Sequence, residues 1–170
     1  MLKNIIRSLL LCPALASAQM PIPDIIQVPK DQHKVLSLHA RGEQIYQCTE
    51  QQNEFAWQLQ RPNALLFDAS GQLAGNHTAF LEWKYKDGSY IKGQLINQAD
   101  VTPDSSVAWL LLEAIEPKGK GLLTSTDFIQ RVNTQGGLPP TMVCDNNHLG
   151  EEKPVSYTAD YIFYASQDKK

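Results

Sequence analysis

Apolar and polar residues alternate along most of the chain from about residue 34 onward. Strict alternation is the pattern of β-strands with one face buried and the other in water. A short run of this kind places Phe55, Trp57 and Leu59 on one face. A longer run near the carboxyl end has five members on its apolar face, namely Val155, Tyr157, Ala159, Tyr161 and Phe163. The pattern predicts a protein built from strands.

Clusters of Gly, Pro, Asn and Asp interrupt these runs at intervals typical of turns. They are Arg41-Gly42, Arg61-Pro62-Asn63, Ser70-Gly71, Asp87-Gly88, residues 118–121 and Gly136-Gly137. The spacing of these clusters indicates about eight to ten short strands. The fold class predicted is all-β, either a β-sandwich or a closed antiparallel barrel.

Asp87-Gly88 is the sharpest turn signal, because both central positions of a two-residue hairpin turn need positive φ. We expect its two arms at residues 81–85 and 90–96. Residues 107–115 are apolar except for Glu113, which suits a fully buried strand or a short helix. We favour a strand, because its neighbours are predicted strands and it lacks helix caps at both ends.

The amino-terminal residues have the pattern of a secretory signal peptide. Lys3 and Arg7 precede a short apolar run, and Ala16-Ser17-Ala18 forms a small-x-small cleavage site. The apolar run is shorter than the roughly 20 residues that span a bilayer. We therefore predict a cleaved signal peptide over residues 1–18, a secreted or periplasmic location and no stable membrane anchor. After the signal peptide we predict an extended lead-in over residues 19–33 and a single β domain over residues 34–170.

The predicted mature chain keeps two cysteines, Cys48 and Cys144. Two cysteines in a small exported domain usually pair, so we predict a disulfide between them; two separate buried thiols are the alternative. The mature chain has 13 Lys and Arg against 18 Asp and Glu. An acidic surface repels phosphates, so nucleic acid is not an expected partner.

Several motifs occur together in one order along the chain. They are Gly42 to Cys48, Asn76-His77 leading to Glu82-Trp83 and Asp87-Gly88-Ser89, then Trp109 to Leu112, Ile129 to Gly137, and Tyr157 to Tyr164. This set resembles a family of secreted bacterial and fungal proteins catalogued as a domain of unknown function. The resemblance covers about residue 35 to the end and implies no established activity.

His77 and Arg131 are the polar side chains that most need explaining. His77 follows Gly75 in an expected polar loop at a strand end, where an imidazole can act as a base or a ligand-binding group, or satisfy the turn. Arg131 lies within a predicted strand, where a cation needs a carboxylate or a ligand anion. Its candidate partners within the chain are Glu82, Asp145 and Asp160.

A tryptophan on the solvent face of the sheet can stack against a sugar. Alternation predicts that Trp57 and Trp109 are core residues, which leaves Trp83 as the open case. His77, Trp83 and Arg131 are therefore the predicted ligand-binding residues.

No metal site or cofactor is predicted. The four histidines are scattered, and residues 145–150 resemble a calcium loop only in part, because Leu149 stands at its fifth position and Ser156 at its twelfth. The leading hypothesis is a non-enzymatic binding or envelope-associated module that accommodates a small molecule or glycan in a cleft near His77, Trp83 and Arg131. A hydrolase using His77 with a carboxylate and a structural or protein-interaction domain without a pocket are alternatives. Oligomeric state stays open.

Overall fold

The computed structural model describes residues 20–79 and 81–168. This part of the chain forms two short 3-10 helices, at Asp24–Ile26 and Leu122–Ser125, and eight strands. The strands are β1 (Gln32–Gln51), β2 (Glu54–Phe67), β3 (Leu73–Ala79), β4 (Glu82–Tyr85), β5 (Tyr90–Ala99), β6 (Trp109–Lys118), β7 (Phe128–Gly136) and β8 (Glu152–Ser166). None of the helices in these ranges is long and apolar enough to cross a membrane. The predicted signal peptide lies outside the described residues.

The eight strands form one antiparallel sheet that closes on itself. Each strand pairs with the next in sequence, and β8 pairs with β1 to complete the ring. The predicted all-β class is confirmed. Of the two expected architectures, the closed antiparallel sheet describes the connectivity and the two-sheet sandwich does not.

Two of the predicted turns are wrong, because Arg41-Gly42 lies inside β1 and Arg61-Pro62-Asn63 lies inside β2. A Cβ on Gly42 would meet the carbonyl oxygen of Asn63 at 2.2 Å, so the glycine permits a close approach of the two strands. Pro62 lies where β2 pairs with β1 alone, an edge position that tolerates the missing N–H. As a result, β1 and β2 are longer than the short strands expected.

The hairpin predicted at Asp87-Gly88 is confirmed and connects β4 to β5. The Gly88 N–H donates to the Tyr85 oxygen and the Tyr85 N–H donates to the Ser89 oxygen, each at 3.0 Å. Among these turn residues only Gly88 has a positive φ, of 88°. The connection is therefore a three-residue loop with a glycine bulge, and the expectation of positive φ at both central positions was wrong.

The sheet packs one apolar cluster inside the ring and another on its outer surface. The inner cluster draws on all eight strands and includes Leu38, Leu66, Ile91, Leu112 and Phe163. The strand predicted around residues 107–115 is confirmed as β6, and it contributes to both clusters because Leu112 faces inward while Trp109 and Leu111 face outward.

The described part of the lead-in covers the outer cluster. Ile26 is fully buried and packs with Trp109 and Val132. The Gln130 amide donates to the Ile26 oxygen at 2.6 Å, which fixes the segment to β7. The apolar residues of the lead-in therefore complete the outer packing of the sheet.

The predicted disulfide between Cys48 and Cys144 is confirmed. It joins β1 to the segment that connects β7 with β8, across a sequence separation of 96 residues. The Trp57 indole N–H donates to the Met142 oxygen at 2.9 Å and holds the same segment against β2. A disulfide of this kind fits an extracytoplasmic compartment, where such bonds persist.

Candidate functional site

His77 lies within β3 and faces the inside of the ring, not a polar loop as predicted. Only 3% of its surface is exposed. Its Nδ1–H donates to the backbone oxygen of Glu82 at 2.6 Å, across the short connection between β3 and β4. Because Nδ1 carries the proton in this bond, Nε2 of a neutral ring keeps its lone pair and is a hydrogen-bond acceptor.

Trp83 is also inside the ring and is 1% exposed. Its ring stacks on the His77 imidazole with centroids 4.6 Å apart and an angle of 5° between the planes. The Tyr161 ring meets His77 and Trp83 edge-on, with centroids 5.2 Å from each. Trp83 is therefore part of a packed aromatic group and not a stacking platform on the solvent face.

Of the two tryptophans predicted to lie in the core, only one does. Trp109 is 1% exposed and is a core residue, as predicted. Trp57 is only half-buried, so its assignment to the core was wrong. The reason is that the start of β2 pairs with β1 alone, so no second strand covers this end.

The buried imidazole of His77 is held in its neutral form. Burial lowers its pKa from 6.5 to about 4, the Glu82 hydrogen bond opposes this, and the positive charge of Arg131 lowers the pKa further. Burial lowers the pKa of a histidine because it penalises the charged form. At neutral pH the ring is thus an uncharged donor at Nδ1 and an acceptor at Nε2.

Arg131 lies in β7 at the register of Leu110 and Tyr161, both members of the inner cluster. Its Nε and Nη2 atoms both donate to the Ala108 oxygen, at 3.0 and 2.8 Å. Within the described residues Arg131 makes no ion pair. The half-buried guanidinium therefore has a neutral carbonyl as its partner, and its charge is uncompensated.

The three carboxylates considered as partners of Arg131 have other roles. Asp160 accepts hydrogen bonds from His39 and Asn133. Asp145 accepts one from the His148 ring. The Glu82 carboxylate interacts with the Tyr90 hydroxyl, whose pKa is raised by burial most of all and further by this carboxylate.

Within the described residues, three buried donors inside the ring form no hydrogen bond of normal geometry. They are the Trp83 indole N–H and the hydroxyls of Tyr157 and Tyr161, and the two tyrosines are 3% and 1% exposed. Burial raises the pKa of Tyr157 strongly, its charge interaction and weak hydrogen-bonding contact with the Tyr161 hydroxyl raise the pKa further, and the positive charge of Arg131 opposes the shift. We call His77, Trp83, Arg131, Tyr157 and Tyr161 the interior polar cluster.

Sequence reasoning found three members of this cluster and missed the two tyrosines. The alternation in residues 155–163 placed both tyrosines on one apolar face, which is the pattern of core residues. The only signal was that each carries a hydroxyl, which needs a partner when buried. The position of Tyr161 beside Arg131 follows from the β7–β8 register, which pairs these two residues, whereas Tyr157 pairs with Gly136.

Two cavities lie on the outer surface of the sheet. One, of about 420 Å³, lies between the lead-in and β7, with Ile22, Val28 and Gln130 among its lining residues. The other, of about 210 Å³, is lined by residues of β1, β2 and β8, including His39 and Asp160. Neither is lined by His77, Trp83 or Arg131.

In the described part of the chain, no group of three or more His, Cys, Asp or Glu residues could hold a metal ion. The segment compared with a calcium loop is a turn beside the disulfide. The Asp145 carboxylate accepts hydrogen bonds from the Asn147 N–H at 2.9 Å and from His148 Nδ1 at 2.7 Å.

The sequence profile of a family described as "Protein of unknown function (DUF3455)" matches residues 29–165. The chain therefore belongs to this family, and the resemblance noted in its motifs is confirmed. No curated protein and no solved structure matches the chain.

Proposed function

We propose that the protein is a secreted or periplasmic binding module for a small molecule or glycan that carries an anionic group. The ligand binds to the interior polar cluster, with its anionic group on Arg131 and its other polar groups on His77 and the two tyrosines. The module has no catalytic step in this proposal.

The observation that carries the proposal is the uncompensated charge of Arg131. Charged groups in protein interiors are normally paired, because removing a lone ion from water costs several kcal/mol. Arg131 instead donates twice to one neutral oxygen, which leaves Nη1 without a described partner. A carboxylate or sulfate matches the planar donor fork of a guanidinium and would compensate it.

The unpartnered neighbours of Arg131 point to the same class of ligand. Among the described residues, the Trp83 indole has no acceptor, and the Tyr157 and Tyr161 hydroxyls have only a weak contact with each other. An anionic ligand consists largely of acceptor atoms, and one such molecule can satisfy several of these donors. His77 Nε2 adds an acceptor for a ligand hydroxyl, so a sugar acid or hydroxy acid fits better than a plain inorganic anion.

The disulfide and the signal-peptide pattern support an exported location. Disulfides persist outside the cytoplasm, and Cys48 and Cys144 are the two cysteines that remain after cleavage at Ala18. The acidic mature chain disfavours binding of polyanions at its surface, so the anionic ligand has to be small enough to reach one cationic side chain.

Two other hypotheses receive less support. A hydrolase using His77 with a carboxylate needs an acid beside the ring, but the described partner of His77 Nδ1 is a backbone oxygen. A purely structural role for Arg131 would call for a carboxylate partner, but its described partner is the neutral Ala108 oxygen.

A thermal-shift screen of residues 19–170 with matched ligand pairs tests the proposal. Glucuronate and galacturonate are compared with glucose and galactose, and citrate is the sugar-free anion. We expect a sugar acid to raise Tm by roughly 3–5 °C at about ten times its Kd, and its neutral partner to have no effect.

Matched arginine variants serve as controls for this screen. Arg131→Gln is expected to abolish the shift. Arg61→Gln is expected to retain it, because Arg61 is an exposed residue that pairs with Glu152 at 3.0 Å. No response to any of the anions, or an equal response in the Arg131 variant, would count against the proposal.

A further inference from the structure

A second group of polar residues lies on the outer face of the sheet, away from the interior polar cluster. His39 of β1 is directly opposite Asp160 of β8. The His39 Nδ1–H donates to Asp160 Oδ1 at 2.7 Å, and the two side chains are 39% and 31% exposed. This bond fixes the tautomer of the imidazole and leaves the Nε2 lone pair free.

The Asp160 carboxylate is also held from its other side. The Asn133 amide donates to Asp160 Oδ2 at 2.8 Å. Asn133 has a positive φ of 52° and lies at the irregularity in the β7–β8 pairing between Val132 and Gln135. A left-handed backbone is costly outside glycine, although asparagine tolerates it best. The bulge thus places the Asn133 amide against the Asp160 carboxylate, which also orients the His39 ring.

His39 and Asp160 line the outer cavity of about 210 Å³ together with Ser37, Phe67, Asp68 and Ala69. Ser37 lies two residues before His39 on the same face of β1, at a Cα separation of roughly 7 Å set by strand geometry. Within the described residues Ser37 makes no side-chain hydrogen bond, so its hydroxyl is available. A hydroxyl, an oriented imidazole and a buttressed carboxylate therefore share one cavity.

We propose that this cavity is an acyl-transfer site in which Ser37 is the nucleophile, His39 is the general base and Asp160 and Asn133 are positioning residues. The Ser37 oxygen attacks the carbonyl carbon of an ester while its proton passes to His39 Nε2. The ester C–O bond then breaks, and the Nε2 proton goes to the leaving alkoxide. A water molecule then attacks the carbonyl carbon of the acyl-serine, with His39 again as the base, and the carboxylic acid is released from Ser37.

The cavity lining selects a small neutral ester. Phe67 and Ala69 provide an apolar wall, and the volume of about 210 Å³ limits the size of the acyl group. The lining contains two carboxylates, of Asp68 and Asp160, and no Lys or Arg, so it disfavours an anionic substrate. Asp68 is held by Lys86 at 2.9 Å and does not compete for His39.

The test uses p-nitrophenyl acetate as the probe on the folded chain of residues 19–170. General-base catalysis contributes typically about 10²–10⁴-fold, so His39→Gln should lower kcat/KM by at least about 100-fold. Ser37→Ala should lower it as much and should remove the single acetyl group that mass spectrometry finds on Ser37 after a short incubation. Asp160→Asn should lower kcat more than it raises KM and shift the pH profile.

His148 provides a matched control. Its Nδ1 atom makes the same 2.7 Å contact with Asp145, and its side chain is 33% exposed. It lines neither of the described cavities. His148→Gln should therefore leave turnover unchanged, and a far-UV spectrum of each variant shows whether it is folded.

Three results would overturn the proposal. The first is a wild-type rate no higher than that of the His39→Gln chain. The second is an equal loss in the His148→Gln chain, which would indicate unspecific imidazole reactivity. The third is acetylation of lysine or histidine but not of Ser37. If His39→Gln does not fold, the Ser37→Ala and Asp160→Asn chains replace it in the comparison with the wild type. Each of them should fold and lose the esterase activity.

Discussion

Replacing both Cys48 and Cys144 with serine will lower the free energy of unfolding by about 4–5 kcal/mol. The disulfide closes a loop with a sequence separation of 96 residues. In the chain-entropy model, a cross-link that closes a loop of about this length stabilises the fold by about 4–5 kcal/mol, because it reduces the entropy of the unfolded chain. The segment between β7 and β8 loses its covalent tie to β1 and keeps weaker contacts, such as the Trp57 hydrogen bond to Met142. Urea denaturation of the oxidised chain and the double variant measures the difference.

Reduction of the wild-type chain provides the control for this prediction, because it breaks the cross-link without changing a side chain. The reduced wild type and the double variant should unfold at the same urea concentration. A loss of less than about 1 kcal/mol would show that the unfolded chain is already compact or that the segment is held by its other contacts.

Acidification will destabilise the fold through His77. The pKa of this ring is about 4 in the folded protein, against the ordinary histidine value of 6.5 that applies to the unfolded chain. Between these two values the unfolded chain binds more protons, so stability falls as the pH falls from 6.5 toward 4. The full effect is about 3 kcal/mol below pH 4, of which about 2 kcal/mol is lost by pH 5. Denaturation at a series of pH values measures it.

His77→Phe separates this contribution from that of other titrating groups. Carboxylates with a lowered pKa, such as those of Asp68 and Asp145, also lose stability in acid, and they do so in both chains. The wild type should therefore fall more steeply than the His77→Phe chain between pH 6.5 and 4. His33→Gln, at an exposed position in β1, should follow the wild type. Parallel curves for wild type and His77→Phe would contradict a buried neutral imidazole.

The sequence predicted the parts of the fold that depend on local patterns. Alternation identified β8 because apolar and aromatic residues occupy every second position from Val155 to Phe163. The Asp87-Gly88 signal located the β4–β5 connection, although its glycine serves a three-residue loop. The disulfide was predicted because the chain has an export signal and its mature part contains two cysteines. Gly42 was misread as a turn, because the same lack of a side chain also allows two strands to approach closely.

The candidate sites were harder to predict because they depend on register. His77 and Trp83 were selected on their residue types, yet their stacking follows from the tight pairing of β3 with β4. The contact of His39 with Asp160 joins residues 121 positions apart. A single sequence contains no signal for such a pair until the β1–β8 register is known.

The role of Arg131 as a ligand-binding residue is tested most directly by the free energy of unfolding of Arg131→Met without ligand. Arg131 has an uncompensated charge, so an apolar side chain of similar length should leave the chain within about 1 kcal/mol of the wild type or more stable. The same variant should lose the stabilisation by glucuronate. A loss of about 3 kcal/mol or more, as expected when one partner of a buried ion pair is removed, would show that Arg131 is structural.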